Sequence, residues 1–176
     1  MVVVHDKTFV PYITRDQINV RVAELGAIIS QDYQDKRPLI IAILNGSFIF
    51  AADLFRALTI EAEISFIKLA SYKGTSSTGN VVTAVGMEEK LKDRHVIILE
   101  DIVDTGKTLH SFLPEILQRG PQSIRIATFL SKPEALLHDI KPDYVGFEIP
   151  SSFVVGYGLD YDGLGRNYPD LYVLQC

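Results

Sequence analysis

The sequence predicts an α/β protein built on a mostly parallel central sheet flanked by helices. Strand-like apolar runs alternate with helical segments through the middle of the chain, the order that parallel sheets with crossover helices require. The run Val96-Ile97-Ile98-Leu99 suits a strand buried on both faces, as strands of parallel sheets are. A tail from Glu148 onward, rich in Tyr, Gly and Asp, departs from this pattern and reads as short strands.

Residues 14–34 carry Ile18, Val22, Leu25, Ile28 and Ile29 at helical spacing, with Thr14 as N-cap and Asp16 in the first turn. A short buried strand follows over 38–44, then an Asn45-Gly46 turn and an apolar helix from Ser47 to Leu58. Residues 63–70 read as a strand, 72–80 as a flexible loop and 81–85 as a returning strand. The strand at 96–99 ends in two adjacent carboxylates, Glu100 and Asp101, and a Gly-containing turn leads to a helix over 109–119. Further strands are expected at 123–130, 143–147, 153–157 and 171–174, with a short helical piece at 133–138.

At 176 residues with 47% hydrophobic content, the chain fits one soluble domain with a real core. Its net charge of −5 argues against nonspecific nucleic-acid binding and against attachment to acidic membranes. The only cysteine is Cys176, so no intrachain disulfide can form and a reducing compartment is expected. No apolar run approaches the roughly 18 residues of a membrane span, and His5, Asp6 and Lys7 come too early for a signal peptide. A cytoplasmic protein is expected.

The chemistry concentrates between Val96 and Thr108. In open α/β sheets ligands bind beyond the carboxyl ends of strands, where helix N-termini present free N–H groups. Thr105, Gly106, Lys107 and Thr108 therefore form an expected anion cradle, with two hydroxyls and a run of backbone donors. Asp104 is out of place beside a negative ligand. It either caps the next helix, as Asp often does, or takes part in chemistry, and the carboxylates just upstream favour chemistry. Gly106-Lys107-Thr108 imitates the end of a Walker A loop, but that motif needs Gly where this chain has Asp101.

A strand, then Glu-Asp, then Thr-Gly-x-Thr, resembles the signature of the type I phosphoribosyltransferases, which bind 5-phosphoribosyl 1-pyrophosphate. The segment from Lys141 to Pro150, continuing through Phe153-Val154-Val155-Gly156-Tyr157-Gly158-Leu159-Asp160-Tyr161, closely resembles the C-terminal portion of the hypoxanthine-guanine members. The resemblance spans about residues 39–176. It implies the type I phosphoribosyltransferase fold in a single domain over 1–176, with a core over about 38–147 and a hood from about 1–13 plus 148–176.

It further implies that Glu100 and Asp101 grip the ribose hydroxyls, Thr105 to Thr108 hold the 5′-phosphate, and Asp104 serves as general base toward purine N7. Leu44, Asn45 and Gly46 match the pyrophosphate loop, with Asn45 standing where the family often has a lysine or arginine. Arg166 matches an arginine that reaches pyrophosphate. Ser71 and Tyr72 match the start of a mobile catalytic loop. Lys132 corresponds to the lysine that contacts the purine exocyclic oxygen, Phe153 to the aromatic that stacks on the base, and Val154 to the backbone at its other edge. Asp160 matches an aspartate at the purine end of the site that helps hold Mg²⁺, with Glu100 and Asp101 as further candidate ligands.

The residue chemistry agrees with that pattern. Lysine has three donors and no acceptor, which suits O6 of hypoxanthine or guanine and opposes the amino group of adenine. An aromatic face accepts any purine. The expected function is transfer of a phosphoribosyl group to a 6-oxopurine in purine salvage, by an enzyme forming a homodimer or homotetramer. A nucleotide-sensing regulator of the same fold, which would favour a basic surface, and an enzyme preferring xanthine are the alternatives.

Overall fold

The computed structural model describes residues 1–72, 81–85 and 88–175. The expected α/β architecture is present. A six-stranded sheet contains β3 (Leu39–Leu44), β4 (Glu63–Tyr72), β5 (Val81–Val85), β6 (His95–Val103), β7 (Ser123–Ser131) and β8 (Tyr144–Glu148), in the spatial order β5-β4-β3-β6-β7-β8. All neighbours run parallel except β5, which pairs antiparallel with β4. A second, antiparallel sheet joins the two ends of the chain: β1 (Val2–Val4), β2 (Lys7–Ile13), β10 (Leu171–Leu174) and β9 (Val154–Val155).

Three helices cover the central sheet: α1 (Arg15–Asp32), α2 (Phe48–Ala57) and α3 (Lys107–Gln118). Thr14 caps α1 through a full capping box, its hydroxyl accepting from Gln17 N–H while the Gln17 side chain accepts from Thr14 N–H. Ile18, Val22, Leu25 and Ile29 are buried as the spacing predicts. Ile28 is 43% exposed, whereas Gly26 is buried and packs directly against Ala57 of α2.

The strand at 96–99 is buried on both faces. Ile97 and Leu99 join the core under α1 and α2, while Val96 and Ile98 join the core under α3. The strand does not stop at the carboxylates as the sequence suggests. β6 runs on to Val103, held by pairing of Ile102 with Leu130 and of Val103 with Ser131. Leu99 and Ile102 face the same core three residues apart, so Glu100 and Asp101 occupy a break in the side-chain alternation.

α3 begins at Lys107 rather than Leu109, and its N-cap is Gly106 at φ 77°, not Asp104. A side chain at Gly106 would be strained in that left-handed conformation and would press on Ile140. The helical piece after Lys132 shrinks to a 3₁₀ turn at Pro133–Ala135, because Leu137 N–H bonds the Thr105 carbonyl instead of continuing the helix. The strand expected over 153–157 is only Val154–Val155, since Gly156 (φ 105°) and Tyr157 (φ 47°) turn the chain. The backbone of Ser71 and Tyr72 ends β4, pairing with Val82 and Val81; the loop expected beyond them lies outside the described residues. Among the described residues no helix is long and apolar enough to cross a membrane.

Candidate active site

The parallel strands end along one edge of the sheet, and nearly every residue singled out from the sequence gathers there. Glu100 through Leu109 line a cleft of about 240 Å³. A larger groove of about 980 Å³ lies between α1 and residues 57–61, at the opposite edge of the sheet and away from these side chains.

The floor of the cleft is the turn from Asp104 to Thr108. By helix geometry the first N–H groups of α3 have no intrahelical acceptor, and they face the cleft with the positive end of the helix dipole. The first bond within the helix comes from His110 N–H to the Gly106 carbonyl at 2.9 Å. The Thr105 hydroxyl accepts from Lys107 N–H at 3.4 Å, while the Lys107 and Thr108 side chains are exposed. The His110 and His138 rings stack beside this turn, 4.5 Å apart, a contact between α3 and the 136–140 segment that the sequence did not signal.

Parallel pairing of Val103 with Ser131 sets the next residues of both strands side by side. Lys132 Nζ donates to Asp104 Oδ2 at 2.9 Å. The lysine side chain is only 10% exposed and that of Asp104 is 45% exposed. A buried cation thus stands against a reachable carboxylate at the rim of the turn that starts α3.

Glu100 and Asp101 are both withdrawn from water. Burial, with Asp101 as a neighbouring charge, raises the Glu100 carboxyl well above its ordinary range, and its Oε2 has no hydrogen-bond partner. Burial also raises Asp101, opposed by hydrogen bonding to Ile102 N–H at 2.8 Å and by the charge of Arg166. A carboxyl with a raised native pKa keeps its proton in the fold after the unfolded chain would have lost it. Folding stability therefore declines as pH rises from the ordinary carboxylate range, about 4, toward the native value. Glu100→Gln removes the titration, so its unfolding free energy should vary less with pH than wild type across that window and should exceed wild type at pH 8. Urea unfolding at pH 5 and pH 8 checks this; an unchanged pH slope would be the contrary result.

The loop at Leu44-Asn45-Gly46 contains a cis peptide between Leu44 and Asn45. The buried Ser47 hydroxyl donates to the Ile43 carbonyl at 2.5 Å, so Ser47 ties the loop to its own strand instead of capping α2 with its side chain. Gly46 is pressed between two elements. A Cβ there would lie 1.5 Å from Asp101 Oδ2, and on the other side a Cβ at Gly158 would lie 2.1 Å from the Gly46 carbonyl oxygen. Gly158, which the sequence alone does not single out, is needed for this close approach and for its φ of 101°.

Arg166 donates to the Gly158 carbonyl at 2.7 Å and pairs with Asp160 at 2.8 Å. Asp160 also accepts from Gly163 N–H at 2.7 Å. The Phe153 ring is 44% exposed and is supported by Phe9 and by an edge contact with Tyr161. Val154 beside it is buried, in register with Val173. Among the described residues no group of three or more His, Cys, Asp or Glu is arranged to hold a metal ion, so Glu100, Asp101 and Asp160 do not form a cage of protein ligands alone. Asp160 nevertheless lies close enough to Asp101 for its negative charge to add to the upward push on the Asp101 carboxyl.

The profile of the phosphoribosyl transferase domain matches residues 14–162. The chain is 41% identical over 164 residues to the hypoxanthine-guanine phosphoribosyltransferase of Lactococcus lactis subsp. lactis, covering 93% of this chain and 89% of that one. It is 42% identical over 165 residues to the protein of the same name from Bacillus subtilis, covering 93% and 91%. A solved hypoxanthine-guanine phosphoribosyltransferase from Bacillus anthracis superposes with a TM-score of 0.88 at 34% identity, over 97% of this chain and 100% of that one.

Proposed function

Because the chain belongs to the phosphoribosyltransferase family, we propose that it is a purine-salvage enzyme that transfers the 5-phosphoribosyl group of 5-phosphoribosyl 1-pyrophosphate to N9 of hypoxanthine or guanine. The products are IMP or GMP and pyrophosphate. The observation that carries the choice of base is the 2.9 Å pair of Lys132 and Asp104. It sets a donor-only group next to an acceptor, which complements the adjacent O6 and N7–H of a 6-oxopurine. Adenine would turn an amino group toward the ammonium of Lys132, a mismatch that a buried polar site penalises heavily.

In this reading the turn from Thr105 to Thr108 holds the 5′-phosphate by helix N–H groups and hydroxyls. Glu100 and Asp101 take the ribose hydroxyls, whose donors would satisfy the orphaned Glu100 oxygen. Leu44, Asn45 and Gly46, with Arg166, face the pyrophosphate, and exposed Phe153 stacks on the base whose far edge meets the Val154 backbone. N9 forms its bond to ribose C1 as the C1–O bond breaks and its electron pair leaves on pyrophosphate. Asp104 accepts the proton from N7, and cation character at the ribose is stabilised by a nearby carboxylate and the ordered ribose hydroxyls.

Mg²⁺ fits the hard oxygen donors of this site, where Asp101, Asp160 and Glu100 would hold it. Such ions commonly take one or two carboxylates together with substrate phosphates. When bound it would neutralise charge on the leaving pyrophosphate. Ser71 and Tyr72 would lead into the segment that shields the activated sugar from water. We further assign the core at about 38–147 and the hood at about 1–13 plus 148–176 to one domain, the working enzyme to a homodimer or homotetramer, and its setting to the cytoplasm.

Pyrophosphate release measured with hypoxanthine, guanine, xanthine and adenine tests the proposal: the 6-oxopurines should turn over and adenine should not. Lys132→Ala should raise the KM for hypoxanthine by about 10- to 100-fold, the loss of one hydrogen bond from a charged donor, with a much smaller change in the KM for phosphoribosyl pyrophosphate. Loss of affinity for phosphoribosyl pyrophosphate alone would put Lys132 on the wrong ligand. Turnover of xanthine in preference to hypoxanthine would move the assignment to the xanthine branch.

A further inference from the structure

One half-buried contact joins the two halves of the site and has no part in the chemistry above. The Tyr157 hydroxyl donates to Asp53 Oδ2 at 2.7 Å across 104 residues of sequence. Tyr157 is 3% exposed and its ring packs on Phe129, 4.7 Å away, in the main core. Asp53 lies on α2, the helix that the loop at Leu44-Asn45-Gly46 feeds directly. Tyr157 lies between Gly156 and Gly158, and Gly158 is the residue pressed on the Gly46 carbonyl.

The phenol-carboxylate bond therefore spans the same seam as the glycine-glycine contact. One tie fixes the helix behind the loop, and the other fixes the loop itself. The hood side of the seam leads within three residues to Asp160 and, through Gly158, to Arg166, whose guanidinium donates to the Gly158 carbonyl. Arg56 also reaches Asp53, at a loose 3.8 Å, and its side chain is largely exposed.

We propose that Tyr157, acting through Asp53, is a positioning residue that sets the distance between the 44–46 loop and the hood, and so governs affinity for the anionic pyrophosphate end of the substrate. The proposal rests on assigning the 44–46 loop to pyrophosphate. It separates two roles along the cleft: Lys132 and Phe153 select the base, whereas the Tyr157–Asp53 tie tunes the leaving-group pocket without touching any ligand.

Tyr157→Phe removes only the hydroxyl and leaves the ring on Phe129. Calorimetric titration with Mg²⁺-pyrophosphate and steady-state kinetics should give about a tenfold rise in the pyrophosphate Kd and in the KM for phosphoribosyl pyrophosphate, a fraction of what a hydrogen bond to a charged group can supply. The kcat and the KM for hypoxanthine should stay within about twofold. Asp53→Ala should reproduce these changes, and Asp53→Asn, whose amide oxygen still accepts, should restore values near wild type. The proposal is overturned if Tyr157→Phe leaves pyrophosphate affinity unchanged, or if the KM for hypoxanthine rises in step with it, the mark of general loosening. Asn45→Lys serves as the control on the loop: if pyrophosphate affinity ignores that added charge as well, the loop assignment fails and takes the proposal with it. A response to Asn45→Lys alone defeats only the Tyr157 tie.

Discussion

Asp104→Asn should lower kcat about a hundred- to ten-thousandfold, the usual range for removing a general base, in a protein that still folds. The two side chains are nearly the same shape, and the asparagine oxygen can still accept from Lys132 Nζ, now 2.9 Å from the carboxylate. What disappears is the ability to take the N7 proton. The lysine is mostly enclosed while the Asp104 side chain is 45% exposed. Solvent screening therefore limits the stability loss to about 1 kcal/mol. Phosphoribosyl pyrophosphate should bind at least as well, because a negative charge near the phosphate cradle has gone. Steady-state kinetics with thermal unfolding checks both halves. Near wild-type turnover would reduce Asp104 to a counter-ion for Lys132.

A comparable loss is expected from a residue with no functional group at all. Gly46→Ala should cut kcat/KM about a hundredfold or more, the scale of misplacing a binding group by an ångström or so. The added Cβ would fall 1.5 Å from Asp101 Oδ2 and 2.5 Å from its Cγ. The loop has no retreat, since its carbonyl already abuts Gly158. Asp101 must swing away and give up its bond to Ile102 N–H. Because a short side chain moves rather than the backbone, the melting temperature should fall far less than activity does. Asp101→Gly should cause a similar loss, and the double variant should be no worse than either single change, a non-additivity that marks one shared interaction. Additive losses would show that Gly46 acts independently of Asp101.

These two sites differ in how visible they were in the sequence. Asp104 could be singled out from thirteen consecutive residues, because strand, carboxylates, turn and helix start all lie within that stretch. The sequence reads Gly46 as a turn and, by resemblance, as part of the pyrophosphate loop, but does not reveal the contact that excludes a side chain there, since Asp101 lies 55 residues further on. The same contrast governs where sequence and structure differ. The sequence ends the strand at the two carboxylates, yet ladder bonds to β7 carry β6 on to Val103. Asp104 is a favoured cap residue, but Gly106 takes that position because it alone tolerates φ 77° there.

The sequence by itself determined what local interactions govern. Thr14 and Gln17 cap α1 through contacts three residues apart, and the apolar runs at 39–44 and 96–99 became buried strands. The turn before α3 was equally local. Tertiary structure alone decided which distant groups meet: Lys132 with Asp104, Tyr157 with Asp53, and β2 with β10 at opposite ends of the chain. The reason is physical. Helix caps and turns depend on dihedral preferences and bonds within a few residues, whereas these pairings depend on strand order and register, which are fixed by how the faces of the whole sheet are covered.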